Sequence, residues 1–87
     1  MRSLNSVIRD SLARHSGVHP AAIRPEQHLE RDLDLSPIEL VLVTLDVEDI
    51  EDVEISVEGL ARLETVADLL SYLTQAVVLA RRFAPVA

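Results

Sequence analysis

The 87-residue sequence contains no cysteine and no tryptophan, and its only aromatic residues are Tyr72 and Phe83. The absence of cysteine excludes disulfides, thiolate metal sites and cysteine nucleophiles. With so few aromatics, the core must be built from aliphatic side chains. No apolar run approaches membrane-spanning length, and no basic-then-apolar signal segment opens the chain. These features predict one small cytoplasmic domain, residues 1–87.

Positive charge is also scarce. All eight basic residues are arginines, and fifteen acidic residues give a net charge of -7. Nucleic acids and anionic lipids are bound by clustered positive charge, so both are excluded as partners. Eleven of the acids lie within residues 30–58, which contain a single arginine, Arg31. This band predicts that the middle of the chain docks on basic protein surfaces.

The apolar spacing predicts a small all-α, four-helix bundle with a long first loop and a short third helix. A first helix is expected to end at Gly17. The loop that follows, residues 18–35, should be pinned to the core by four apolar residues: Ile23, Leu29, Leu33 and Leu35. Ser56 could cap the short third helix. Thr65 caps the fourth, which extends to about residue 82, before Pro85 blocks its continuation.

The second helix has the clearest start signal, because Ser36, Pro37 and Glu39 form a capping box with proline at the first helical position. Its apolar residues form two stripes on roughly opposite sides. One contains Leu40, Val43, Val47 and Ile50, and the other contains Ile38, Val41, Leu42 and Leu45. A small bundle buries one stripe easily. The second is therefore either wedged between neighbours or kept for a partner or apolar ligand.

The sequence shows no pattern typical of a catalytic or metal site. His15, His19 and His28 have no regular ligand spacing, and residues 46–54 lack the pattern of a calcium loop. No nucleophile elbow is present, so we expect the protein not to be an enzyme. Ser36, however, would place a hydroxyl at the positive end of a helix dipole, where a phosphate is favourably held. The other interpretation of Ser36 is a plain helix cap.

Three segments of the sequence resemble the acyl carrier protein family. They are Asp32-Leu33-Asp34-Leu35-Ser36-Pro37-Ile38-Glu39-Leu40-Val41, the helix end near Val53-Glu54-Ile55, and Thr65-Val66-Ala67-Asp68-Leu69-Leu70-Ser71-Tyr72-Leu73. The resemblance covers about residues 4–75. It implies a 4'-phosphopantetheine arm on a serine that opens the second helix, attached by a phosphopantetheinyl transferase. It also implies acyl thioesters passed between acyl-transferring or condensing enzymes of fatty-acid, polyketide or related biosynthesis.

On this resemblance, Ser36 is the candidate attachment residue. Four acids would steer basic partner surfaces: Glu39, Asp46, Glu48 and Asp49. Ile38, Val41 and Leu45 would supply apolar contact or an acyl pocket, and the protein is expected to be a monomer.

The attachment motif differs from the family pattern Asp-Leu-Gly-x-Asp-Ser-Leu. Aligned without gaps, Ser36 falls on the motif's aspartate and Pro37 on its modified serine. Sliding Ser36 onto the serine needs two gaps and puts Asp46 at a core leucine position, so the ungapped alignment is favoured. Two interpretations follow: either Ser36 bears the arm one residue early, or the domain is an interaction module without an arm. An unrelated helical adaptor that dimerises through the second helix is a third.

Overall fold

The computed structural model describes residues 2–83 and consists of three α-helices and two 3₁₀ turns. The helices are α1 (Leu4–Ser16), α2 (Pro37–Glu51) and α3 (Val66–Arg82), and the turns are Pro20–Ala22 and Leu60–Arg62. The predicted all-α bundle with a long first loop is confirmed. Its short third helix is reduced to the second 3₁₀ turn, which begins after Gly59 and not at Ser56. Pro85, the predicted stop, lies outside the described residues.

The helix ends follow local sequence signals. Gly17 ends α1 in the left-handed conformation, at φ 77°. Thr65 and Asp68 form a complete capping box at the start of α3, in which each side chain accepts a hydrogen bond from the other residue's backbone N–H. Such boxes satisfy amide groups that have no partner within the helix, and they fix where the helix begins.

The core is aliphatic, as predicted. Its fully buried members on the three helices include Ile8, Leu12, Val43, Val47, Leu69, Leu73 and Val77. The four predicted pins of the long loop are confirmed, because Ile23, Leu29, Leu33 and Leu35 are each only 2% exposed. They bring the loop onto the helices and set the chain's path into α2.

Backbone hydrogen bonds also hold the long loop against the start of α3. The N–H of Leu29 donates to the carbonyl of Glu64 at 2.8 Å, and the N–H of Val66 donates to that of Gln27 at 2.9 Å. These two hydrogen bonds form an isolated antiparallel β-bridge between His28 in the loop and Thr65 at the start of α3. This anchoring positions the segment that immediately precedes Ser36.

The two apolar stripes of α2 have different environments. Leu40, Val43 and Val47 are buried, whereas Ile38, Leu42 and Leu45 are 72%, 40% and 48% exposed. Ile50 belongs by its spacing to the same stripe as Leu40, Val43 and Val47, but in the last turn of α2 it is 49% exposed. Three residues of the second stripe are therefore not wedged between neighbours, whereas its fourth, Val41, packs partly against the core.

Candidate functional site

Ser36 is the N-cap of α2 and is exposed. Its Oγ accepts a hydrogen bond from the Glu39 N–H at 3.3 Å, and its own N–H donates to Oε1 of Glu39 at 3.0 Å. The backbone and side-chain hydrogen bonds with Ser36 hold the pKa of Glu39 below its usual value. The Ser36 hydroxyl thus lies at the positive end of the helix dipole with a charged carboxylate beside it.

A tight turn delivers the chain to Ser36. Asp34 adopts the left-handed backbone conformation, at φ 54°, and its N–H donates to the carbonyl of Glu30 at 3.0 Å. Leu35 follows with its side chain buried and its N–H bonded to the Leu29 carbonyl at 3.0 Å. Because the Leu35 side chain is buried immediately before the exposed Ser36, the Ser36 hydroxyl projects from a fixed position on the surface.

The other acidic candidates on α2 differ in how freely they can meet a partner. Oδ2 of Asp46 lies 2.6 Å from the Ser11 Oγ and 3.0 Å from Nε2 of His15, so this carboxylate is turned towards α1. Oε2 of Glu48 accepts a hydrogen bond from the Ile55 N–H at 2.7 Å. Asp49 is exposed. Asp49 is therefore the member of the set whose carboxylate is most available to a basic surface.

The apolar candidates border the exposed side of α2. Ile38 and Leu45 are exposed and Val41 is half-buried. Leu42 lies between Ile38 and Leu45 on the same side of the helix. It is not among the residues predicted to bind partners, although its place in the second stripe indicates the same exposure. These side chains form a band that begins two residues after Ser36.

Comparison with curated proteins finds relatives along most of the chain. The meromycolate extension acyl carrier protein of Mycobacterium tuberculosis (strain ATCC 25618 / H37Rv) is 33% identical over 66 residues, which are 76% of this chain and 57% of that protein. The chain belongs to the acyl carrier protein family. The protein of the same name from Mycolicibacterium smegmatis is 34% identical over 58 residues, 67% of this chain and 59% of the relative. The matched region spans less than two thirds of these relatives, and no family model matches the chain.

Two structural observations favour the ungapped alignment with the acyl carrier protein motif. Asp34 falls on the motif's glycine, and its positive φ is a conformation that glycine adopts without steric cost. Val47 falls on the core leucine position of the second helix and is fully buried, whereas Asp46 is partly exposed. This register puts Pro37 where the family has its modified serine, and Ser36 one residue earlier.

The start of α2 fits the phosphodiester of an acyl carrier protein's arm in two respects. The Ser36 side chain is exposed, and in the described residues its hydroxyl is an acceptor in one hydrogen bond and a donor in none. The amides of the first helical turn favour an anion at this point. The Glu39 carboxylate is unfavourable to the phosphodiester, because it already accepts the hydrogen bond of the Ser36 N–H.

In residues 2–83, no group of three or more His, Asp or Glu side chains is arranged to hold a metal ion. Within the same range, no helix is both long and apolar enough to cross a membrane.

Proposed function

We propose that this chain is an acyl carrier protein whose Ser36 bears a 4'-phosphopantetheine arm and which catalyses no reaction itself. The observation that supports it best is the exposed Ser36 hydroxyl at the N-terminus of α2, in a chain of this family. The relatives are named for meromycolate extension, which favours fatty-acid chain elongation over polyketide synthesis as the setting.

The roles of this chain's residues follow from the geometry. Leu33 and Leu35 fix the turn that presents Ser36, and the first-turn amides of α2 stabilise the negative charge of a phosphodiester on its Oγ. When attached, the arm supplies a thiol that carries an acyl group as a thioester. The helical bundle holds that arm at the N-terminal end of α2 and provides the surface that partner enzymes recognise.

Recognition is proposed to occur along the exposed side of α2. Ile38, Val41 and Leu45 provide apolar contact, and the acids Glu39, Asp46, Glu48 and Asp49 attract basic surfaces of a phosphopantetheinyl transferase and of acyl-transferring or condensing enzymes. Asp49 is assigned the largest share of the attraction, because the other three carboxylates each accept a hydrogen bond within the domain. The domain acts as a cytoplasmic monomer.

The test is co-expression of the protein with a broad-specificity phosphopantetheinyl transferase, followed by intact-mass measurement. We expect the wild type to gain the mass of one arm and Ser36→Ala to gain nothing. Thr74→Ala, which removes an exposed hydroxyl from the middle of α3, is the matched control and should be modified like the wild type. No gain with several transferases would overturn the proposal.

The second candidate is an interaction module that keeps the carrier fold and its docking surface without an arm. Pro37 at the family's serine position favours it, because proline has no hydroxyl to modify. On this hypothesis the protein stays unmodified in its native host but still binds an enzyme of a carrier-dependent pathway. Binding of such an enzyme with equal affinity by the wild type and Ser36→Ala would support it, and binding that needs Ser36 would contradict it.

A further inference from the structure

The imidazole of His28 caps the tight turn that leads to Ser36. His28 is half-buried, and its Nδ1 accepts hydrogen bonds from the N–H groups of Glu30 at 3.2 Å and Arg31 at 3.1 Å. The His28 N–H in turn donates to Oδ2 of Asp32 at 2.6 Å. The histidine side chain therefore takes the position in which serine, aspartate or asparagine usually caps the first amides of a helical turn.

The turn that this ring caps positions Ser36. The carbonyl of Glu30 accepts a hydrogen bond from the Asp34 N–H at 3.0 Å. The carbonyl of Leu29 accepts one from the Leu35 N–H, also at 3.0 Å, and Leu35 is buried immediately before Ser36. Loss of the cap would therefore loosen the residues whose carbonyls hold the last two residues before the serine.

Only the neutral ring can cap the turn. Because Nδ1 of His28 accepts both hydrogen bonds, the proton of the neutral ring must lie on Nε2. A second proton, on Nδ1, would occupy the lone pair that the two amides use. Histidine is the side chain whose charge ordinarily changes between pH 5 and 8, so the cap depends on pH in a range where the fold's carboxylates stay charged.

Most charged residues on the two segments that meet at His28 are acidic. They are Glu26, Glu30, Arg31 and Asp32 in the loop, and Glu64 and Asp68 across the His28–Thr65 bridge. In the described residues none of them forms an ion pair with the His28 ring. These carboxylates attract a protonated ring, but such a ring cannot accept the two amide hydrogen bonds.

We propose that neutral His28 is the positioning residue that holds Ser36 in place for attachment of the arm, and that proton uptake by His28 slows attachment. This inference rests on the proposed function, in which Ser36 is the attachment residue. The chain also contains a matched comparison. Nδ1 of His19 accepts the Ala21 N–H at 3.1 Å, but His19 caps the 3₁₀ turn Pro20–Ala22, which does not lead directly to Ser36.

The first experiment measures the rate of arm attachment to the full chain by coenzyme A and a phosphopantetheinyl transferase between pH 8 and pH 5.5. At each pH the wild-type rate is divided by that of His28→Asn, which cancels the pH dependence of the transferase. Asparagine keeps an oxygen that can accept the two amides, but it does not titrate. We expect this ratio to fall about fivefold towards pH 5.5, the factor that one net hydrogen bond contributes.

Two further variants separate the cap from other effects of pH. His28→Ala has no acceptor at any pH, so it should be about fivefold slower than His28→Asn at both ends of the range. His19→Asn removes the other capping histidine of the loop and should keep the wild-type pH profile.

The second experiment follows the amide and ring-nitrogen chemical shifts of the unmodified full chain over the same pH range. We expect the amides of Glu30, Arg31 and Ser36 to shift with the same midpoint as the His28 ring. In His28→Asn the Ser36 amide should not shift between pH 8 and pH 5.5.

Three results would overturn the inference: a ratio of wild type to His28→Asn that is constant with pH, a Ser36 amide that does not follow the His28 ring, or a His19→Asn profile that changes as much as that of His28→Asn. If no variant gains an arm at any pH, the proposed function fails. The chemical shifts of the unmodified chain then still decide whether His28 positions Ser36.

Discussion

The hydroxyl of Ser11 on α1 donates a 2.6 Å hydrogen bond to Oδ2 of Asp46 on α2. Ser11 is fully buried, and the same carboxylate oxygen lies 3.0 Å from Nε2 of His15 and 3.9 Å from Nη1 of Arg14. The acidic band of the sequence therefore does more than face solvent. One of its carboxylates ties the two helices together.

Removing this carboxylate should destabilise the bundle. Asp46→Ala leaves the buried Ser11 hydroxyl without its acceptor, and we expect a loss of about 1–3 kcal/mol in the free energy of unfolding. Asp49→Ala, an exposed neighbour, should stay within about 0.5 kcal/mol of the wild type. Urea denaturation measures both. Equal effects of the two substitutions would contradict the structural role of Asp46.

The same contact predicts a pH dependence of stability. Partial burial alone would raise the pKa of Asp46, but hydrogen bonds from Ser11 and His15 and the charge of Arg14 together lower it. A lowered folded-state pKa stabilises the protein above the unfolded value, which is about 4, and that stabilisation is lost as the pH falls through the folded value.

The measurement compares the wild type with Asp46→Asn by urea denaturation from pH 7 to pH 3. We expect the stability difference between them to shrink as the pH falls below about 4 and Asp46 takes up a proton. A difference that grows towards low pH would show that the carboxylate is destabilising when charged.

Gly59 has a steric reason to be glycine. A Cβ at this position would lie 2.6 Å from Cε2 of Tyr72, whose hydroxyl donates a 2.6 Å hydrogen bond to the Ser56 carbonyl. The φ of -83° suits any residue, so the cost of Gly59→Ala is the clash alone. We expect a loss of about 1–3 kcal/mol, as for overpacking elsewhere.

A double-mutant cycle checks that cause. In a Tyr72→Ala background the ring is absent, and Gly59→Ala should cost close to nothing. If the two substitutions were additive, the clash with Tyr72 would not explain the glycine.

Glu39 should oppose the arm that Ser36 is proposed to carry. Its carboxylate is bonded to the Ser36 N–H, where a phosphodiester on Oγ would bring a second negative charge. The amides of the first turn of α2 favour that second charge, and Glu39 opposes it. Glu39→Gln keeps an acceptor for the Ser36 N–H and removes its own charge. Attachment should therefore change the melting temperature less favourably in the wild type than in Glu39→Gln, and an equal change in both proteins would contradict the repulsion.

The sequence predicted those features that depend on neighbours along the chain. Ser36 with Glu39, Thr65 with Asp68, and Gly17 are local signals, and each forms the expected cap. The long loop is also marked locally, because Pro20 and Pro25 interrupt the helical spacing of apolar residues. The exposed second stripe of α2 was visible as a pattern, but only the packed structure decides which stripe is covered.

Features that join distant segments were not predictable. The hydrogen bond between Ser11 and Asp46 was not predicted, because the two residues are 35 positions apart and nothing local to Asp46 reveals its partner. The short third helix was placed too early, because the spacing of Val57 and Leu60 does not show that Val57 is 43% exposed and that only Leu60–Arg62 forms a turn. A groove lined by Leu45, Val53 and Phe83 likewise joins the ends of α2 and α3, which are far apart in the sequence.

The central claim is that Ser36 carries the arm although Pro37 takes the family's serine position. The most direct test incubates the purified, unmodified protein with coenzyme A and a phosphopantetheinyl transferase and locates the added group by tandem mass spectrometry. Ser36→Ala/Pro37→Ser, which has its serine at the family's position, serves as the reference. The account predicts one arm, on Ser36, in the wild type and none in Ser36→Ala. An unmodified wild type beside a modified reference would contradict it.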